Sequence, residues 1–280
     1  MARNPSPFTF HGTGTYIVGR GKVAVLDPGP DLAEHIDAIV SGLRGERITH
    51  LVVTHTHRDH SPAARALVAA SGAKTYGYGP HGAGRIEIGG EVEEGGDMDF
   101  VPDVEVRHGD IIEGAGWSLE CVYTPGHTSN HMCYQLREEQ ALFTGDHVMG
   151  WSTSVIAPPD GDMGAYLHSL ELLLGRADHI YWPTHGPCID DPKPFVRAFI
   201  AHRQERAAQI LACLAQGMET IPAMVAEIYR DVPAQLHPAA ALSTLAALVY
   251  LVERGEVDCE GTPPLDACYR LSGRRPARGP

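Results

Sequence analysis

The stretch His55-Thr56-His57-Arg58-Asp59-His60, entered directly from the apolar run of residues 48–53, decides how the rest of this chain is read. With 16 histidines in 280 residues, a His-x-His-x-Asp-His match arises by chance in about three of a thousand such chains. Imidazole nitrogen and carboxylate oxygen are the donors that zinc and its first-row neighbours accept, so a dense group of both types points to metal coordination. His55 and His57 leave the end of an expected strand two residues apart, which turns both side chains to one side. Asp59 and His60 are expected in the following helix, about 100° apart, so that one short segment serves two neighbouring ions. Taken alone, the segment also reads as a solvated histidine-rich loop.

Three more residues follow expected strands. Leu119, Cys121 and Tyr123 alternate before Thr124-Pro125-Gly126-His127; residues 132–136 and 141–144 read as a hairpin ending at Asp146; residues 180–182 read as a short strand before His185. Each of these would be an ordinary turn or surface residue by itself. Strand ends of a sandwich can converge on one rim, and there the three complete a cluster with the first segment.

Upstream, residues 15–18 and 23–26, joined by Gly19-Arg20-Gly21-Lys22, predict a β-hairpin that Asp27-Pro28-Gly29-Pro30 ends. Asp31 is the expected cap of a helix, with Glu34 three residues on, and Leu32, Ile36, Ile39, Val40 and Leu43 recur at helical spacing until Gly45. Residues 62–70 read as a second helix. The glycine-rich residues 77–96, with an apolar island at 86–88, suggest a lid loop. Beyond Pro194 the pattern turns helical over 195–216, 221–230 and 239–254. Residues 257–260 and 267–271 can then pair, which is the order of a winged helix. The expected division is 1–193 for a catalytic region and 194–280 for a helical, winged-helix-like one.

In this order, His55-x-His57-x-Asp59-His60, His127 within Thr124-Pro125-Gly126-His127-Thr128, Gly145-Asp146 and His185-Gly186 resemble the metallo-β-lactamase superfamily over about residues 12 to 190. That resemblance implies an α/β (α+β) fold, a four-layer αββα sandwich of two mixed sheets with the metals at one edge. It implies that His55, His57 and His127 hold a first metal, that Asp59, His60 and His185 hold a second, and that Asp146 bridges them. The cofactors expected are two divalent ions, zinc first, with iron or manganese as alternatives. Asp rather than Cys at the bridging place argues against cleavage of lactam antibiotics. The implied chemistry is hydrolysis by a metal-bridging hydroxide, with the ions also polarising the bond under attack. Asp59, whose second carboxylate oxygen is free to orient the nucleophile, is the expected catalytic group. His131 is a candidate proton donor, with a positioning or merely structural place equally open.

Composition bounds the rest. The 35 acidic residues against 22 basic ones, a formal charge of −13, repel polyanions at long range, which counts against duplex DNA as a partner. The first ten residues lack a charged-then-apolar pattern and no run of about eighteen apolar residues occurs, so neither a signal peptide nor a membrane partner is expected and the default location is cytoplasmic. Cys121, Cys133, Cys188, Cys213, Cys259 and Cys268 are scattered without a Cys-x-x-Cys pair and read as free thiols. Thr128, Ser129 and Asn130 suit either donors beside the metals or a turn. Trp151-Ser152-Thr153-Ser154 could line a substrate mouth, and His202-Arg203-x-x-Arg206 could meet an anion or simply face solvent.

The run Gly145-Asp146-His147-Val148-Met149-Gly150-Trp151-Ser152-Thr153 and the helical tail resemble the lactamase-β-like group that includes single-strand-specific endoribonucleases. A phosphodiester such as single-stranded RNA is therefore the leading substrate. The alternative is a small-molecule ester or thioester, as in glyoxalase II, which shares the same ligands. Residues 201–280 carry eight Arg and no Lys against nine acids, a balance that favours neither strongly. Two readings lie in other classes: an iron-dependent redox enzyme, and a non-catalytic binding module whose tail recognises a partner or forms a homodimer.

Overall fold

The alternation in Val23-Ala24-Val25-Leu26 sends Ala24 and Leu26 into one core and Val23 and Val25 into another, so this strand is buried on both faces. That double burial is the basis of the layering. The computed structural model describes residues 1–84, 95–259 and 265–273. Its first sheet runs β1 (Tyr16–Val18), β2 (Lys22–Leu26), β3 (Arg47–Val52), β4 (Lys74–Gly77), β5 (Val104–Glu105) in that spatial order. The second runs β10 (Ile180–Pro183), β9 (Ala141–Gly145), β8 (Met132–Leu136), β7 (Trp117–Tyr123), β6 (Ile111–Gly114). Both are mixed: β1 is antiparallel to β2 while β2, β3, β4 and β5 run parallel, and β10 is parallel to β9 on an otherwise antiparallel meander.

Leu26 and Val52 of the first sheet meet Leu119, Met132, Tyr134 and Phe143 of the second in the central core. The outer face of the first sheet is covered by α1 (Ala33–Gly42) and α2 (Ala64–Ser71) through Ile39 and Leu67. The outer face of the second is covered by α3 (Met163–Leu174) and the start of α4 (Pro192–Ala215) through Leu170, Leu173 and Phe199. This is the αββα sandwich expected from the resemblance. The hairpin β1–β2, the hairpin β8–β9 and the helix over 33–42 match the sequence reading, but the cap does not. Leu32 occupies the N-cap with no side-chain hydrogen bond, and the Asp31 carboxylate plays no part.

The C-terminal region packs α4, α5 (Ile221–Ile228) and α6 (His237–Glu253) around a separate core closed by the antiparallel pair β11 (Val257–Cys259) and β12 (Tyr269–Leu271). Helix, helix, helix and β-wing appear in the expected order. Two helices are shared with the sandwich. Val196 and Phe199 of α4 belong to the sandwich core and Ile210 and Leu214 to the C-terminal one; α6 likewise places Ala246 in the first and Leu245, Leu248 and Leu251 in the second. The helical stretch Ala234–Glu253 is long and apolar enough to cross a membrane by length and composition. Part of that apolarity goes into the two cores, through Ala246 on one side and Ala240, Leu245, Leu248 and Leu251 on the other. The suggested lid over 77–96 falls in large part on residues 85–94, outside the described residues.

Candidate metal centre

Every group of the cluster sits at the carboxyl end of a strand. Thr54 and His55 follow β3, Asp27 ends β2, Asp146 follows β9, and Thr184 and His185 follow β10. Backbone hydrogen bonds hold these ends together, Asp27 N to Val52 O at 2.8 Å within the first sheet, Thr184 N to Gly145 O at 3.2 Å within the second and Met132 N to Thr54 O at 2.8 Å between the two. The segment His57–Asp59–His60 differs from the sequence reading. Asp59 and His60 lie in a turn, with His60 N bonded to His57 O at 2.9 Å, and α2 begins only at Ala64. Divergence of the two side chains comes from the turn and not from helical pitch.

All seven predicted ligand residues converge. His55 Nε2 lies 2.9 Å from His57 Nδ1, which lies 3.1 Å from His127 Nε2. Asp59 Oδ2 lies 3.4 Å from His60 Nε2 and 3.2 Å from His185 Nε2. Asp146 stands between the two groups: its Oδ1 is 3.5 Å from His60 Nε2 and 3.4 Å from His185 Nε2, and its Oδ2 is 3.7 Å from His127 Nε2. Ligands at 2.0–2.1 Å from a tetrahedral zinc are separated from one another by about 3.3 Å, so these spacings suit donors gathered around cations. Among the described residues, two buried atoms aimed into the cluster, His60 Nε2 and Asp146 Oδ1, make no well-formed hydrogen bond, a state that a bound cation relieves. The donor set contains nitrogen and oxygen and no sulfur, which fits zinc, iron or manganese.

Acceptors behind the ligands fix which nitrogen faces inward. His127 Nδ1 donates to Val155 O at 2.6 Å and His185 Nδ1 to Gly12 O at 3.1 Å, carbonyls that can only accept, so Nε2 is the inward atom of each. His60 Nδ1 donates to Asp27 Oδ2 at 3.0 Å with the same result. Thr54 Oγ1 donates to Asp27 Oδ2 at 2.8 Å and accepts from His55 Nδ1 at 3.1 Å. Thr13 Oγ1 donates to Asp59 Oδ2 at 2.9 Å.

Electrostatics point the same way. Burial pushes the His185 pKa down, but the Asp146 and Asp59 carboxylates outweigh it and carry it up to about 10. At His60, burial is likewise overcome by Asp59, Asp146 and Asp27, and the ring is held well above its ordinary value. Asp146 is pushed up by burial yet held well below the carboxylate range by His185 and His60. His55 goes the other way, lowered by burial and by His60, His57 and His127 around it. The half of the cluster around Asp59 and Asp146 is thus a strongly negative field that takes up positive charge.

His131, a candidate proton donor in sequence, is fully buried behind the cluster. Its Nδ1 pairs with Thr124 Oγ1 at 2.9 Å and its Nε2 accepts the Asp146 backbone N–H at 3.3 Å. It has no access to a substrate, and its bonds are those of a group that positions the Asp146 backbone. Thr128, Ser129 and Asn130 form a buried turn: Ser129 Oγ bonds Asp160 Oδ1 at 2.6 Å and Asn130 Nδ2 bonds Thr56 Oγ1 at 2.8 Å, leaving them no part in the cluster.

Several contributors were not recognised as site residues in the sequence. Asp27, read there as the end of a hairpin, is a buried hub that also accepts Thr54 N at 2.8 Å and Thr184 Oγ1 at 3.0 Å. Only its place at a strand terminus in Asp-Pro-Gly could have marked it. Ser154 does not line a mouth; it is buried, and its Oγ bonds the carbonyls of Asp146 at 2.6 Å and His147 at 2.8 Å. Arg203 of α4, the buried member of the His202-Arg203-x-x-Arg206 motif, donates to Ser154 O and lies over the Tyr166 ring at 5.3 Å. A cavity of about 480 Å³ opens onto Asp59, His127, Asp146 and His185.

Residues 9–185 match the metallo-beta-lactamase superfamily and residues 220–263 match the beta-lactamase associated winged helix domain. The chain is 30% identical to the lactamase-like protein adaB of Aspergillus niger, over 94% of this chain and 82% of that one. It is 31% identical to the atrochrysone carboxyl ACP thioesterase of Claviceps purpurea, over 82% of this chain and 71% of that one. Among solved structures, a metallo-beta-lactamase family protein from Thermus thermophilus superposes with a TM-score of 0.77 at 22% identity, covering 95% of this chain and 96% of that one. At that identity the likeness is one of fold.

Proposed function

The chain belongs to the metallo-β-lactamase superfamily, a family of metal-dependent hydrolases, and from that premise we propose that it hydrolyses thioesters at a two-zinc centre. The observation that carries the substrate class is the cavity beside the cluster. Phe8, Met149, Val155, Ala157, Ala239 and Leu242 contribute to its wall, and Arg58 is the one Lys or Arg among its described lining residues. A single-stranded RNA site needs a basic groove with aromatic platforms for the bases. An apolar wall under a formal charge of −13 suits an acyl group instead. The thioesterase name borne by a relative at 31% identity supports the same choice, so the phosphodiester reading that leads on sequence gives way.

His55, His57 and His127 would hold one ion and Asp59, His60 and His185 the other, with Asp146 shared between them. Two divalent ions so held supply Lewis acidity toward a carbonyl oxygen and bring the pKa of water toward neutrality. The chain's own contribution is orientation and proton handling. Asp27, Gly12 and Val155 lock the rings of His60, His185 and His127. Thr13 occupies Asp59 Oδ2, which leaves Asp59 Oδ1 to take a proton from the attacking water as its oxygen bonds the carbonyl carbon, and to return that proton to the thiolate as the C–S bond breaks. The net reaction turns thioester and water into carboxylic acid and thiol.

The test is to incubate metal-loaded protein and its Asp59→Asn variant with acyl thioesters, single-stranded RNA, a phosphodiester chromophore and a lactam. Thioester turnover is expected from the parent protein, reduced at least ~100-fold in the variant while most of the metal measured by elemental analysis stays bound. RNA cleavage without thioester cleavage overturns the substrate, and undiminished turnover by Asp59→Asn overturns the role of that carboxylate. A colourless protein with two zinc per chain excludes the iron redox alternative.

A further inference from the structure

The cavity on the cluster is built from three separate parts of the chain. Phe8 comes from the N-terminal segment, Met149, Val155 and Ala157 from the segment after β9, and Ala239 and Leu242 from the first turns of α6. The last pair is separated by three residues and so shares one face of the helix. Ala246, one further turn along that face, is anchored in the sandwich core, which fixes the position of Ala239 and Leu242 over the cavity. Phe8 is 51% exposed, a large ring at a cavity edge with apolar surface still open to water. Pockets that enclose drug-sized organic groups span roughly 300–1,000 Å³, and at about 480 Å³ an acetyl or lactoyl group leaves most of this one empty. The thiol-bearing arms of common thioesters are rich in amides and charge, so an apolar wall complements the acyl part and not the arm.

We propose that Ala239 and Leu242 of α6, with Phe8, form the specificity wall of this site and select a thioester whose acyl group is apolar and much larger than acetyl. The assignment rests on the thioester reading and adds to it that the C-terminal region chooses the substrate while the sandwich carries the chemistry. Ala239→Phe fills the wall and Leu242→Ala removes part of it. Neither residue belongs to the metal cluster or to the groups that orient it.

The experiment uses holoenzyme and the acetyl, hexanoyl and 2-naphthoyl thioesters of N-acetylcysteamine. A parallel calorimetric titration uses the non-hydrolysable 2-naphthoyl amide analogue, with metal content and melting temperature confirming that each variant is folded and loaded. The expected result is a naphthoyl preference in the parent protein. Its naphthoyl-to-acetyl ratio of kcat/KM should fall at least ten-fold in Ala239→Phe and three- to ten-fold in Leu242→Ala, with matching losses of affinity for the amide. Thioester turnover that prefers acetyl, or ratios that stay within two-fold in both variants, overturns the wall assignment and leaves the thioester reading standing. Amide binding that responds to the variants, with no thioester cleaved by the parent protein, overturns the thioester reading and keeps the wall.

Discussion

Replacing Asp27 by Asn probes the support of the metal centre without touching a ligand. The carboxylate accepts Thr54 N through Oδ1, and Thr54 Oγ1, His60 Nδ1 and Thr184 Oγ1 through Oδ2, at 2.8 to 3.0 Å. An amide fits the same space, and the positive φ of 46° at this position is one Asn tolerates, so backbone strain does not confuse the result. With its oxygen in the place of Oδ2, the new NH₂ faces the Thr54 N–H donor to donor. Losing the charge costs about 1 kcal/mol in each remaining bond and the unpaired Thr54 amide another 1–3 kcal/mol. Relief of the buried charge offsets part of this, for a net loss of about 3–5 kcal/mol. For a chain of this size that is a drop on the order of 10 °C in melting temperature. The bond that anchors the His60 ring is weakened, so affinity for the ion that His60 would hold should fall about 10–100-fold. Thermal unfolding and competition with a chromophoric chelator read both quantities. A variant that melts with the parent protein and holds both ions equally tightly refutes the assignment of Asp27 as the hub.

Arg203→Met removes the guanidinium that holds Ser154 O and through it the Asp146 loop; kcat should fall roughly ten-fold with little change in KM, and Arg203→Lys should not restore it because a point charge lacks the planar fork. Equal activity in all three proteins excludes the relay. At Gly126, where φ is +136°, a Cβ would lie 2.3 Å from Tyr166 Cα, so Gly126→Ala must displace backbone beside His127 and should give little folded, metal-loaded protein; normal expression and metal content contradict the stated packing. Chelation should lower stability by roughly 4 kcal/mol for each site that is held a thousand-fold above its Kd, and an unshifted melting curve in chelator speaks against metal binding altogether. His35 has its pKa lowered by burial and then by the positive N-terminus, so below about pH 6.5 the unfolded chain takes a proton that the folded one refuses. Its contribution to stability is therefore present above that pH and is lost as the pH falls. In urea titrations at pH 7.5 and 5.5, His35→Gln should lose less stability on acidification than the parent protein, and an equal or greater loss contradicts the argument.

Local pattern alone determined a great deal of this protein. Period-two runs marked β2, β7, β8 and β9, helical spacing and the late β-pair gave the winged-helix order, and the seven ligands were legible because His and Asp stood at expected strand ends. Each of those signals spans a few residues, where backbone period dictates side-chain direction, while the grouping of the first segment with His127, Asp146 and His185 rests on the family resemblance. Tertiary structure decided the support and the substrate wall. Asp27 lies 33 residues from His60 and 157 from Thr184, Arg203 reaches Ser154 across 49 residues, and the cavity joins Phe8 to Leu242. A buried hydrogen bond or an apolar wall carries no fixed spacing in the chain, since it is made by whichever surfaces the packed layers bring together. The turn at Asp59 and His60 shows the same limit on a small scale, because hydrogen bonds to a distant residue, Gly29 N to His60 O at 2.8 Å and Ala63 N to Gly29 O at 3.0 Å, and not helix propensity, set where α2 begins.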